Sequence, residues 1–274
     1  MRRRSAIFPA LLVAALAHPA VAQTPPAIGI VVMHGKGGSP SGHVEPLASA
    51  LEQKGYLVAN LEMPWSKGRG YDAPVADAVT QVSSALEDLR RRGATRLFVA
   101  GHSQGGLFAL YFGGQQRVDG IVAIAPGGNA ASPAQRDRLG RSVAQARRLV
   151  ADGKANDRTR FLDFEGSRGT YEVECTAANY LSWFDPEGAM NELRAVKSVN
   201  AAVPVLFIVP TGDYAPLQNA KQLFFGSLPA NPRTRLYEPD SGHLDAPSAS
   251  IEEIVHWTTE VAASGEGRAA APAR

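Results

Sequence analysis

Five short stretches, apolar along most of their length, recur through the chain at 27–33 (AIGIVVM), 57–61 (LVANL), 96–100 (RLFVA), 118–125 (VDGIVAIA) and 203–209 (VPVLFIV), and a sixth, more polar strand is read at 233–238 (RTRLYE). A strand buried on one face alternates apolar and polar residues. A strand that stays apolar is buried on both faces, the condition of a parallel sheet with helices on either side. Segments with helical spacing lie between these stretches: 45–54, stopped by Gly55; 76–92, stopped by Gly93; and 105–112, rich in helix formers. Another follows at 248–262. The alternation predicts an α/β fold, a doubly wound and mostly parallel sheet of about six strands, with the functional loops at the strand C-terminal ends.

Two regions fall outside this rhythm. Residues 129–200 separate the fourth and fifth strands, are polar, and carry a basic helical segment at 134–151 and then Tyr171, Tyr180, Trp183 and Phe184. An insertion of that length is expected to act as a cap over a site rather than as a structureless loop. Residues 263–274 (ASGEGRAAAPAR) read as a disordered tail. The domain is therefore expected to span 23–262.

Residues 1–22 set the expected address. Arg2, Arg3 and Arg4 precede an apolar run that ends at Ala20-Val21-Ala22, an A-x-A-like cleavage site. This is the pattern of a signal peptide cleaved after Ala22, of the Sec or twin-arginine type. The alternative, a membrane anchor, has a run well short of the roughly 20 residues a bilayer requires, and no later segment approaches that length. Loss of the segment takes three arginines from a formal charge of +2, leaving −1. A near-neutral chain is not built for nucleic acid. A periplasmic or secreted protein without stable membrane insertion is expected. With one cysteine, Cys175, the chain has no internal disulfide framework or Cys-rich zinc module. Cys175 is expected to be an exposed, incidental thiol.

Residues 101–105 read Gly-His-Ser-Gln-Gly, a G-x-S-x-G pattern that directly follows a buried strand and directly opens a helix. A serine on such a turn is held in a strained conformation with its Oγ pushed outward. Gly101 and Gly105 flank it because a Cβ at either position would collide with the turn. The N–H of Gln104 lies in the first turn of the helix and can donate to a developing oxyanion. The alternative is a Gly-rich helix entry with an N-capping serine. A second donor is expected from His34-Gly35-Lys36-Gly37-Gly38 after the first strand, the N–H of Lys36 being the candidate. A phosphate-binding loop is the other use of such glycines, but its G-x-x-x-x-G-K-[ST] spacing is absent.

Serine needs a base, and His243 in Ser241-Gly242-His243 sits in a loop after the sixth strand. His34 and His102 belong to the two glycine motifs, His43 precedes a helix and His256 lies within one. Asp213, directly after the fifth strand, is the candidate to orient the imidazole, with Asp240 and Asp245 as rivals close to His243.

On HGKGG at 34–38, GHSQGG at 101–106, TGD at 211–213 and SGH at 241–243, the chain resembles the α/β-hydrolase superfamily over roughly residues 27–262. The resemblance implies a catalytic triad of Ser103, Asp213 and His243, an oxyanion hole at Lys36 and Gln104, and no metal or organic cofactor. It also implies a six-stranded core, as in compact serine esterases and dienelactone-hydrolase-like members, because the two N-terminal strands of the full fold have no counterpart here. Ser103 departs from the Cys of dienelactone hydrolases and the Asp of haloalkane dehalogenases and epoxide hydrolases. The expected function is hydrolysis of a small-molecule carboxylic ester through an acyl-enzyme. The alternatives are a non-catalytic binding protein or pseudoenzyme on the same fold, and a peptidase, thioesterase or perhydrolase using the same triad. Trp65 and Trp183, with Tyr180 and Phe184, are the candidates to line a substrate pocket.

Overall fold

The computed structural model describes residues 26–166 and 168–264. The signal-peptide segment 1–22 lies outside them. So do residues 265–274 of the expected tail, while Ala263 and Ser264 are still helical.

The chain runs β1 (Ile28–Met33), α1 (Glu45–Gln53), β2 (Leu57–Leu61), α2 (Val75–Arg91), β3 (Arg96–His102), α3 (Gln104–Gln115) and β4 (Gly120–Ile124). It then enters α4 (Pro133–Ala151), the strands β5 (Arg158–Glu165) and β6 (Gly169–Thr176), α5 (Ala177–Phe184) and α6 (Glu192–Ser198). It closes with β7 (Val205–Ile208), α7 (Ala215–Gly226), β8 (Arg235–Tyr237), α8 (Ala246–Ala249) and α9 (Ile251–Ser264). Six strands form one sheet in the order β2-β1-β3-β4-β7-β8. Every neighbouring pair is parallel.

The apolar runs are continuous because each strand feeds two cores. Ile30, Val32, Phe98, Ala100, Val122 and Ile124 point to one face, where α1 and α9 contribute Leu47, Leu51, Ile254 and Trp257. Val31, Met33, Val99 and Ala123 point to the other, against α2, α3 and the insertion. The side-chain period of two in a strand makes this division automatic. After β1 the chain turns to β2 on one side and then crosses to β3 on the other. The loops after β1 and β3 thus diverge at a switch point, the usual place for a site in an open parallel sheet.

The expected doubly wound sheet is present, and the structure adds elements that the periodicity did not show. Residues 158–176 form a two-stranded antiparallel hairpin within the insertion. Its strands put Arg158, Arg160, Glu172 and Glu174 on an exposed face and bury Phe161, Asp163 and Cys175 on the other. Half-burial makes such strands read as polar sequence. The segment 215–226 is helical with Phe224 alone fully buried, too narrow a stripe to stand out. The single terminal helix expected at 248–262 is two helices, broken at Ser250. Cys175 is buried, not exposed, and burial pushes its thiol up to about 12, so it stays protonated and inert.

Trp257 of α9 is fully buried, packs against Phe98, and donates its indole N–H to Arg233 O at 2.8 Å. Trp257→Ala is expected to lower the unfolding free energy by about 3–5 kcal/mol in denaturant titration, with Ser103 chemistry intact in the folded fraction.

Candidate active site

The turn between β3 and α3 carries the strain that a nucleophile elbow requires. Ser103 has φ 54° and ψ −117°, a conformation costly for any residue with a Cβ. Its side chain makes no capping bond to the helix, which removes the N-cap reading of the serine. The turn is held through its backbone instead: Ser103 N–H donates to Ile124 O at 2.9 Å, and Ser103 O accepts from Gly127 N–H and Leu107 N–H at 3.1 Å. The flanking glycines are sterically forced. A Cβ on Gly101 would lie 2.1 Å from Gly105 O, and one on Gly105 would lie 2.7 Å from both Met33 O and His34 O.

Asp213 and His243 come from the loops after β7 and β8. Those loops are zipped together by a parallel bridge between Gly212 and Gly242 and by Gly212 N–H donating to Ser241 O at 3.0 Å. His243 Nδ1–H donates to Asp213 Oδ1 at 2.7 Å, and the same oxygen accepts from Tyr214 N–H at 2.7 Å. That pairing leaves Nε2 as the unprotonated nitrogen, the tautomer a general base needs. Asp240 instead faces Thr211, with its Oδ1 3.3 Å from that hydroxyl, and Asp245 sits at the start of α8 with no side-chain capping bond. Ser103 and His243 line one cavity. No hydrogen bond joins Ser103 Oγ to the imidazole; such contacts commonly close only around substrate.

The loop after β1 forms the opposite wall, where His34, Gly35, Lys36 and Gly38 line the same cavity. Lys36 N–H has no acceptor among the described residues, and Gln104 N–H, at the first position of α3, has none within its helix. Both remain available as donors. Gln104 itself is buried, and its side chain turns inward toward Tyr71.

Three buried aromatic side chains shape these loops. His34 Nε2 accepts from Met63 N–H at 3.0 Å, while Nδ1 lies 2.7 Å from Gly35 O and carries the proton. His102 lies with its ring centroid 4.9 Å from that of His243, and its Nε2–H donates to His243 O at 2.9 Å. Burial holds the pKa of both rings below the ordinary value, that of His102 at about 3, with the neighbouring His243 adding to the effect there. Both therefore serve as neutral braces. Trp65 is the third. Its Nε1–H donates to His34 O at 2.8 Å, and its carbonyl accepts from Gly37 N–H at 2.9 Å.

The structure places Trp65 and Trp183 beneath the cavity and not on its wall. They are 1% and 2% exposed, meet edge to face at 5.3 Å, and tie their indole N–H groups to backbone carbonyls, that of Trp183 to Ala73 O. Tyr180 and Phe184 stack at 4.4 Å in the same core. Aromatic residues near a functional edge look alike in sequence whether they face the ligand or support the floor. The remaining walls come from Ser39, His43, Val44, Glu165 and Leu244, residues without any motif. Among the described residues, no group of three or more His, Cys, Asp or Glu is placed to hold a metal ion, and no helix is long and apolar enough to cross a membrane.

Gly101→Ala is expected to abolish soluble expression or activity, since its methyl would meet a backbone carbonyl that cannot yield; Gly140→Ala, in open space on α4, is the neutral control. The low pKa of His102 also has a sign. The unfolded chain takes up a proton below about pH 6.5 that the folded chain refuses until about pH 3, so stability falls as pH drops through that window. His102→Gln is expected to flatten the pH dependence of unfolding free energy between pH 6.5 and 4 by on the order of 1–3 kcal/mol, read from denaturant titrations of both proteins.

The comparisons fit this geometry. A structure reported for the metagenome-derived lipolytic enzymes LipS and LipT is 22% identical at a TM-score of 0.57, covering 88% of this chain and 95% of that one. The monoacylglycerol lipase of Paleococcus ferrophilus is 21% identical at a TM-score of 0.61, covering 85% and 94%. Est1E of Butyrivibrio proteoclasticus, solved with ferulic acid bound, is 18% identical at a TM-score of 0.59, covering 88% and 91%. At these identities the likeness is one of fold. No curated protein matches the chain significantly. The model of the Alpha/beta hydrolase family matches residues 30–256. With its strained serine turn, its parallel sheet and that match in hand, the chain belongs to the α/β hydrolase family.

Proposed function

We propose that the protein is a serine hydrolase of small carboxylic esters with short acyl groups. One observation carries the reading. Ser103 sits at φ 54° on a strand-to-helix turn and shares a cavity with His243, whose other nitrogen is bound to Asp213. Solved structures of lipases and esterases on the same fold support it at a distance.

In this reading His243 Nε2 takes the proton of Ser103 as Oγ attacks the ester carbonyl. Negative charge develops on the carbonyl oxygen and is met by the N–H groups of Lys36 and Gln104, each donor contributing roughly 3 kcal/mol. His243 then protonates the departing alcohol, which leaves the acyl group on Ser103. The same imidazole activates water to release the acid. Asp213 keeps Nδ1 protonated and stabilises the imidazolium in both steps.

The cavity sets the acyl length. It holds about 50 Å³. Tyr214 and Leu244 are exposed at the rim. The basic, apolar segment 1–22 supports export to a periplasm or exterior.

Purified protein is expected to hydrolyse p-nitrophenyl acetate with a kcat/KM about tenfold or more above that for the octanoate, and to be labelled by a fluorophosphonate probe. Ser103→Ala should lose both. A folded wild type that shows neither reaction would identify a binding protein on a hydrolase fold. Preference for amides or thioesters in the same assay would move the reading to a peptidase or thioesterase.

A further inference from the structure

The insertion contributes a buried carboxylate that pairs with Lys36, a residue of the cavity wall. Asp163, on β5 of the hairpin, is fully buried and accepts four hydrogen bonds. Its Oδ1 accepts from Lys36 Nζ at 2.5 Å and from Phe164 N–H at 2.7 Å. Its Oδ2 accepts from Tyr71 OH at 3.0 Å and from Tyr171 OH at 2.9 Å. The Lys36 ammonium is itself nearly enclosed. It also donates to Phe164 O at 3.3 Å and lies 5.2 Å from the centre of the Phe184 ring. Tyr71 is one of the non-glycine residues with positive φ, at 61°, and its hydroxyl lies 3.5 Å from Gln104 Oε1.

These contacts converge on two residues whose backbone matters. Lys36 offers its N–H at the cavity wall and sends its side chain away from it, into the hairpin. Gln104 follows Ser103 and sends its amide to Tyr71. The carboxylate restrains Lys36 directly through its ammonium, and it takes the single hydroxyl proton of Tyr71, whose ring packs beside the Gln104 side chain. A buried ion pair is a poor source of net stability, because desolvation consumes most of the attraction. A non-glycine residue held at positive φ is likewise unfavourable unless the surroundings enforce it. Both features are concentrated here.

We infer that Asp163 is a positioning residue for the reaction, holding the candidate oxyanion donor Lys36 in place from outside the core sheet. The inference rests on the ester-hydrolase reading of the site. It gives the insertion a catalytic task that depends on its hairpin and not on covering the cavity.

The test uses the full chain, with active molecules counted by fluorophosphonate labelling taken to completion. Asp163→Asn is expected to lower kcat per active site toward p-nitrophenyl acetate by about 10–100-fold, with KM changed less than threefold. The inhibition constant of a phenylboronic acid, which forms a tetrahedral adduct on Ser103, should rise in step with the loss in kcat/KM. A purely structural role would instead reduce the number of active sites and leave each with wild-type constants, and that result would overturn the inference. Should Asp163→Asn not fold, Tyr71→Phe and Lys36→Gln carry the same test, since each deletes one arm of the network and leaves every backbone N–H in place. Wild-type kcat and boronate inhibition in both would reject the proposal. Asp163→Glu is expected to recover part of the loss. Wild-type turnover abolished by Ser103→Ala establishes the ester reading separately. A wild type without turnover refutes that reading and this inference with it.

Discussion

The site depends on a backbone-to-backbone contact that tolerates no side chain. The first turn of α3 presses on the end of β1, so closely that a Cβ on Gly105 would lie 2.7 Å from Met33 O and His34 O. Gly101 is pressed on the same turn from the other side. This contact forces Ser103 into positive φ and brings the loop after β1 alongside the serine. Donors from two distant stretches of chain can then serve one oxygen. Close packing supplies the strain, and the strain presents Oγ to the cavity.

Around that contact the structure places groups that stay neutral. His34 and His102 are buried deeply enough that desolvation keeps them uncharged, and each spends its N–H on a backbone carbonyl. Trp65 and Trp183 do the same with their indole N–H groups. The aromatic groups thus fix loop geometry without introducing charge beside Ser103. The charged Lys36 and Asp163 neutralise each other at one edge. Asp213 and His243 form the other pair, between loops that are zipped by the Gly212 and Gly242 bridge.

The insertion departs from the repeating α/β plan. Its hairpin is open to solvent on one face, where arginines pair with glutamates, and packs Phe161 and Cys175 on the other. Its position is tied to the core by the buried Lys36–Asp163 pair, by Trp183 Nε1–H donating to Ala73 O, and by the contact of Phe184 with Tyr71. An element that sequence pattern would class as a cover over the site reaches the loop after β1 from within the fold, through Asp163.

Much was legible before the fold was known. A strand core buried on both faces can only be written as an apolar run, so β1, β3, β4 and β7 stand out, and a serine elbow between strand and helix needs glycines at fixed offsets. Local chemistry therefore determined the parallel sheet, the Ser103 turn and the order of Ser103, Asp213 and His243. The half-buried hairpin and the surface helix α7 were hidden because their apolar stripes are narrow. The shared roles of Asp163, Tyr71 and Tyr171 were hidden for a different reason. They come from separate stretches, none carries a motif, and a carboxylate with four donors looks in sequence like any solvated one. Trp65 and Trp183 show the converse, since being aromatic near a functional edge does not say which way a ring points. Direction and partnership are properties of packing among distant segments, so only the tertiary structure could decide them.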